Sequence, residues 1–304
     1  MSFAAILIRL SRNASLETAA SFGVLIAAGR ILVAASIATP YGLLRLKQEK
    51  KQLEPRVFQK AIRLAVFAGF ALAGHFTFWI VSLGLTSIAA STAIVTSNPL
   101  WLTLYAWLVL KQKPSQIVTL GLLITFAGGV VIGIGDATRG GNFQNPILGD
   151  GLALLGAFAG AAYYLLGRNA QHLGLSLRAY AGIAYGTAAL VLLPMPALFG
   201  LHYFGYPLET YFWLLLLGLI PQLIGHTSIN WAVKYLNPAV VASVVLLEPI
   251  GSAVGAIFLF GEIPGTSILL GGLVLLFGIA VVVRAPTNQA KTADTLPKTV
   301  KESF

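Results

Sequence analysis

Cysteine is absent from all 304 residues, which excludes a disulfide framework and any thiol chemistry. Charge is scarce as well: Asp, Glu, Lys and Arg make up 10% of the chain, against about 25% in a typical soluble domain. With 57% hydrophobic residues and a mean hydropathy of +0.83, that deficit excludes an ordinary water-soluble fold. Enzyme signatures are missing too, including H-E-x-x-H, a P-loop and G-x-S-x-G. Gly133-Ile-Gly135-Asp136 matches one string of the intramembrane aspartyl proteases, but no Tyr-Asp pair supplies the second carboxylate their chemistry needs. Neither candidate membrane histidine has a second ligand at i+3 or i+4, so no metal is expected. The reading is of a protein that is not an enzyme and carries no cofactor.

What the chain has instead is long apolar runs. Crossing about 30 Å of hydrocarbon at 1.5 Å per residue takes roughly 20 residues. Nine runs qualify: Ala19–Leu46, Ala61–Leu85, Ser87–Leu110, Ser115–Gly135, Gly149–Arg168, Leu177–Gly200, Tyr211–Val233, Pro238–Phe260 and Thr266–Arg284. A shorter one, Phe3–Arg12, precedes them. None alternates with period 2, so an all-α membrane protein of ten transmembrane helices, the first one short, is predicted. No A-x-A site follows the first run, so a cleaved signal is not expected. Beyond Arg284 the polar, proline-containing tail, 285–304, reads as disordered.

The net charge of +10 suggests nucleic acid only if position is ignored. With both termini in the cytoplasm, Arg45, Lys47, Lys50, Lys51, Arg56, Lys60 and Arg63 fall on the internal side after the second helix. Lys111, Lys113, Arg168, Arg178, Lys234, Arg284, Lys291, Lys298 and Lys301 join them, making sixteen of the 20 basic residues. Arg12 and Arg139 are external, as are Glu17, Asp136, Asp150, Glu209 and Glu262. Such asymmetry is the positive-inside pattern of a multi-pass protein in a cell (plasma or inner) membrane, and the partner it implies is lipid rather than nucleic acid.

The chain also repeats itself. Asn98-Pro99, Pro114, Gly121 and Gly128 recur as Glu248-Pro249, Pro264, Gly271 and Gly278, each displaced by 150 residues. His75 and Trp79 align with His226 and Asn230, and Arg12-Asn13-Ala14 aligns with Arg168-Asn169-Ala170. Five helices per copy is an odd number, so the second copy must enter the membrane inverted. The expected division is a first five-helix repeat over 1–135, an external loop over 136–148, and a second five-helix repeat over 149–284.

Within this scheme a few residues are out of place chemically. Glu248 falls near the middle of a predicted span, where a charged side chain costs about 2.5–3.5 kcal/mol. It is read as a group that titrates or binds a solute amine, or else as a protonated helix-to-helix hydrogen bonder. Pro249 and Pro99 remove an N–H each and are expected to kink their helices. Asn98, Trp101 and Tyr105 share a face at i, i+3 and i+7 that could line a cavity, with core packing the alternative for Tyr105. Gln222, His226 and Asn230 form a polar stripe at i, i+4 and i+8, and His75 shares a face with Trp79. Two imidazoles flanking Glu248 could relay protons, although a buried His is more often a helix-to-helix hydrogen bonder. Arg30 lies mid-helix with no charged neighbour in sequence, so it should meet Glu248, carbonyl groups or an anionic solute. Tyr163, Tyr164 and Tyr185 are weaker candidates. Gly129-x3-Gly133, Gly156-x3-Gly160 and Gly251-x3-Gly255 predict close helix contacts.

Glu248-Pro249 through Phe260-Gly261-Glu262, Pro264 and Gly271 to Gly278 is similar to the closing signature of the EamA-like family of the drug/metabolite transporter superfamily. Asn98-Pro99 and Gly121 to Gly128 resemble the same family's first repeat. Lys111-Gln112-Lys113 departs from it, replacing the acidic Gly-Glu pair usual there. The resemblance implies ten helices in two inverted repeats and movement of a small metabolite, an amino acid or related compound, commonly outward, by exchange or proton coupling. On that basis Glu248, His75 and His226 are expected to couple protons. Arg30, Trp79, Asn98, Trp101, Tyr105 and Asn230 are expected to join them around a small-molecule solute. A lipid flippase or an uncoupled uniporter or channel of the same fold remains the alternative, and the oligomeric state has no signature in the sequence.

Overall fold

The computed structural model describes residues 3–108, 114–138, 144–235, 245 and 247–284. Every regular element among them is helical. In chain order they are α1 (Ala4–Ser15), α2 (Phe22–Glu49), α3 (Pro55–Ser82), α4 (Ile88–Val95), α5 (Asn98–Leu108), α6 (Gln116–Thr138) and α7 (Pro146–His172). There follow α8 (Leu177–Leu192), α9 (Met195–Leu198), α10 (Leu208–Leu217), a π-helical stretch (Gly218–His226), α11 (Thr227–Tyr235), α12 (Leu247–Phe260) and α13 (Thr266–Arg284). Among the described residues, six helical spans are long and apolar enough to cross a bilayer: Phe22–Glu49, Pro55–Ser82, Pro146–His172, Leu177–Leu198, Leu208–Tyr235 and Thr266–Arg284. Gln116–Ile132 and Glu248–Phe260 are shorter apolar stretches.

Helix starts follow their side chains. Ser87, Asn145 and Ser176 each accept a hydrogen bond from the backbone N–H three residues on, and Pro55 and Pro146 open α3 and α7, where a missing N–H is harmless. Three expectations need correcting. The predicted span Ser87–Leu110 is not one helix but two, because Pro99 cannot continue an i to i−4 ladder and crowds the α conformation of Asn98. Thr96 N–H and Ser97 N–H close the first part on Thr92 O and Ile94 O at 3.2 and 3.1 Å, and Asn98-Pro99 begins α5. Of the predicted span Pro238–Phe260, residues 238–244 and 246 lie outside the described residues, and Val245 and Leu247–Phe260 are helical. The predicted span Leu177–Gly200 breaks before Pro194, leaving the single turn of α9. The basic loop is shorter than predicted, since α2 and α3 extend over Arg45, Lys47, Arg56, Lys60 and Arg63. The Lys111–Lys113 loop and the tail are outside the described residues.

Polarity is distributed inside-out. Leu123, Phe126, Phe258, Leu273 and Phe277 are more than half exposed on the perimeter, whereas Arg30, Gln222, His226 and Asn230 are no more than 1% exposed. A lipid solvent for the outer face accounts for both. Helices of the first half pack on helices of the second: α2 on α8, α3 on α7 and α8, α1 on α10, α4 on α7 and α12, and α6 on α13. Two crossings are backbone to backbone. A Cβ on Gly42 would lie 2.6 Å from the Gly182 Cα, so only glycine allows α2 to meet α8 there. Gly121 faces Gly278 and Gly128 faces Gly271, so α6 and α13 run antiparallel. These seven-residue glycine pairs make that contact, not Gly129, whose nearest neighbour would be 4.0 Å from its Cβ.

Candidate functional site

The buried polar groups converge at the centre of the bundle. Arg30, on α2, donates from Nε to Gln222 Oε1 at 3.0 Å, and its Cζ lies 4.0 Å from the centroid of the Phe76 ring. A desolvated cation-π contact contributes about 2 kcal/mol, and a hydrogen bond to a charged group about 1.5–3 kcal/mol. Together they offset the roughly 2.5–3.5 kcal/mol that a mid-membrane arginine costs. Nη1 and Nη2 of Arg30 have no hydrogen-bond partner among the described residues. Glu248 is 6% exposed, and its charge reaches Arg30, yet no ion pair joins the two among the described residues.

Around this pair stand the rings. On α3, His75 Nδ1 lies 2.8 Å from Gly156 O and donates to it, leaving Nε2 as the other ring atom, and the ring stacks on Trp79 at 5.9 Å. From the π-helical stretch, His226 approaches His75 at 6.1 Å and Phe76 at 5.2 Å between centroids. Its Nδ1 is 3.4 Å from the Tyr164 hydroxyl, and the two rings lie nearly parallel. One turn on, Asn230 donates to the Tyr163 hydroxyl, and Tyr185 shares a 3.0 Å hydrogen bond with Thr227. Small residues on α7 make room: a Cβ on Gly160 would sit 2.8 Å from His75 Nδ1 and 3.0 Å from Asn98 Oδ1. That places Asn98, at the head of α5, against the same strip of α7 as His75.

Arg30, His75, Trp79, Asn98, His226 and Glu248 are therefore gathered in the chamber or on its wall, with Asn230 one turn away. Trp101 is half-buried and packs edge-on against Phe158, itself 55% exposed, so it leans toward the perimeter. Tyr105 is 39% exposed and does not share the chamber. Pro99 sits where a helix restarts, and Pro249 follows Glu248 within α12. Phe76 was missing from the sequence reading, and Gln222 was seen only as part of a stripe. Their signals were adjacency to His75 and an i, i+4 relation to His226.

Seven buried polar atoms here lack a partner among the described residues: Arg30 Nη1 and Nη2, Trp79 Nε1, Asn98 Oδ1, Gln222 Nε2, His226 Nε2 and Asn230 Oδ1. The fold and this site define a multi-pass membrane protein with a cluster of buried polar side chains at its centre. Residues 147–284, in the second half of the chain, match the model of the EamA-like transporter family. The chain is 25% identical over 224 residues to an uncharacterized transporter of Archaeoglobus fulgidus, an alignment covering 72% of this chain and 74% of that one. A protein known from its crystal structure shares the fold, with a TM-score of 0.60, 20% identity and 97% of each chain covered.

Proposed function

We propose that the chain is a secondary transporter that moves a small polar metabolite, an amino acid or related compound, outward across a cell (plasma or inner) membrane. The observation that carries this reading is the set of seven unpartnered buried polar atoms. Each would cost about 1–3 kcal/mol if left dry, a total on the order of the whole stability of a domain, so the chamber must hold water or solute. Arg30 offers its free guanidinium edge to a carboxylate, and Glu248 is suited to an amine or a proton. The helix restart at Asn98-Pro99 and the Glu248-Pro249 pair fall at matching positions of the two halves, as binding sites of repeat-built transporters do. The antiparallel pairing of α6 with α13 supports an inverted relation between 1–135 and 149–284, joined by 136–148, which suits alternating access with both termini cytoplasmic.

In this mechanism Glu248 couples flux to protons or exchange, with His75 and His226 beside it. Purified protein in liposomes, screened against a metabolite panel with and without a pH gradient, tests it. Glu248→Gln should abolish pH-driven flux while the protein stays folded. Undiminished flux would remove Glu248 from the coupling step, and no flux of any panel member would remove the transporter reading.

A further inference from the structure

A second polar cavity lies apart from the chamber, where α1 ends, α2 begins and α3 ends. Its volume is about 310 Å³, and Arg9, Arg12, Asn13, Glu17, Gly84 and Gln144 are among its lining residues. It shares no residue with the site around Arg30. The charge arrangement is unusual for so small a space. Arg12 donates from Nε to Glu17 O at 3.3 Å and from Nη2 to Thr18 O, so neutral carbonyls hold the guanidinium in place without neutralising it. Gly84 has no side chain to keep Arg12 off the backbone. Arg9 faces the same cavity and its charge acts on Arg12. It donates from Nη2 to Leu83 O at 2.8 Å and stands 3.6 Å from Glu262 Oε2, beyond the 2.7–2.9 Å of a tight charge-assisted bond. The other Glu262 oxygen accepts from Ile88 N–H at 2.6 Å, so that carboxylate is shared with the start of α4. Glu17 forms no ion pair with either arginine among the described residues.

Two guanidiniums fixed by backbone carbonyls in one pocket attract a planar anion that accepts from both. Glu262 lies outside the lining, and among the residues that line the cavity Arg9 and Arg12 outnumber Glu17 by one charge, so a single negative charge balances it better than two. Asn13 and Gln144 add carboxamides that can hold a neighbouring amine or hydroxyl. A volume near 300 Å³ suits a small metabolite and nothing larger. We propose that this cavity is a second solute site, selective for a small monocarboxylate, with Arg12 and Arg9 as its binding residues. By the charge pattern of the sequence, it opens to the exterior.

The full chain in nanodiscs tests this without any transport assay, so the outcome is independent of the carrier reading. Because the protein has no cysteine, Thr18→Cys, which keeps the backbone carbonyl that accepts from Arg12, gives a single reporter on the cavity wall. Its maleimide labelling rate is measured with acetate as the probe and chloride at equal ionic strength as the control. At acetate about three times the Kd, occupancy should slow labelling about fourfold. Chloride should not slow it, and added Arg12→Gln should abolish the protection. Glu17→Gln, which keeps every backbone contact of Arg12, should increase it. Equal protection by chloride, protection surviving Arg12→Gln in folded protein, or protection falling in Glu17→Gln would each overturn the proposal. So would no protection at all.

Discussion

Arg30 offers the sharpest separation of a binding role from a structural one. Replacing it with Met removes the charge and keeps a flexible apolar stem. The structure loses the Phe76 contact at 4.0 Å, about 2 kcal/mol, and the Gln222 hydrogen bond at 3.0 Å, about 1.5–3 kcal/mol. It also sheds the roughly 2.5–3.5 kcal/mol cost of a mid-membrane cation. These nearly cancel, so Arg30→Met should unfold within about 2 kcal/mol of the parent. Transport should behave differently. If Nη1 and Nη2 hold a solute carboxylate, losing two charge-assisted hydrogen bonds removes about 3 kcal/mol or more of binding. KM for the metabolite identified by the flux panel should then rise about 100-fold or more. Arg30→Lys keeps the charge but loses the planar fork, and should fall between, at about tenfold. The paired assays are reconstituted flux against solute concentration and thermal unfolding in the same detergent. A folded Arg30→Met with the parent KM would refute the contact. Loss of flux accompanied by more than about 4 kcal/mol of destabilisation would refute the cancellation and make Arg30 a structural residue.

Gly160→Ala should push His75 off Gly156 O and crowd Asn98, costing about 1–3 kcal/mol and most of the flux. Gly151→Ala on the same helix is the control, since a Cβ there meets nothing within 4 Å; thermal midpoints and flux of the two variants are compared directly. Glu262→Gln keeps an acceptor for the Ile88 N–H and loses the 3.6 Å charge contact with Arg9, a loss that should cost no more than about 1 kcal/mol in thermal unfolding. Glu262→Ala, which removes the acceptor as well, should cost about 1 kcal/mol more.

Helices were legible wherever an apolar run had charged or proline ends: Thr266–Arg284 has the same bounds in sequence and structure. Backbone departures were not, because they depend on where a hydrogen-bond ladder fails rather than on which face is apolar. Thr96 and Ser97 bond locally and let α4 end before Pro99, while the π-helical stretch Gly218–His226 absorbs Pro221 without ending its helix. The chamber residues stood out because a charge, imidazole or amide inside a lipid-length run is expensive, and that cost needs no structure to be seen. Their neighbours needed one. Periodicity puts His75 and Trp79 on a shared face but cannot say that the face meets Gly156 and Gly160. Those glycines read in sequence as packing, and packing is what they do; Gly156 meets the Trp79 backbone, yet what packs into Gly160 is an imidazole and a carboxamide. Where Gly42 and Gly182, or Gly156 and Trp79, bring two backbones together, Gly160 makes room for polar side chains one turn on. The groove that closes a membrane bundle and the groove that admits its polar side chains are thus built from the same residue type, and what the facing helices present at each turn decides which one forms.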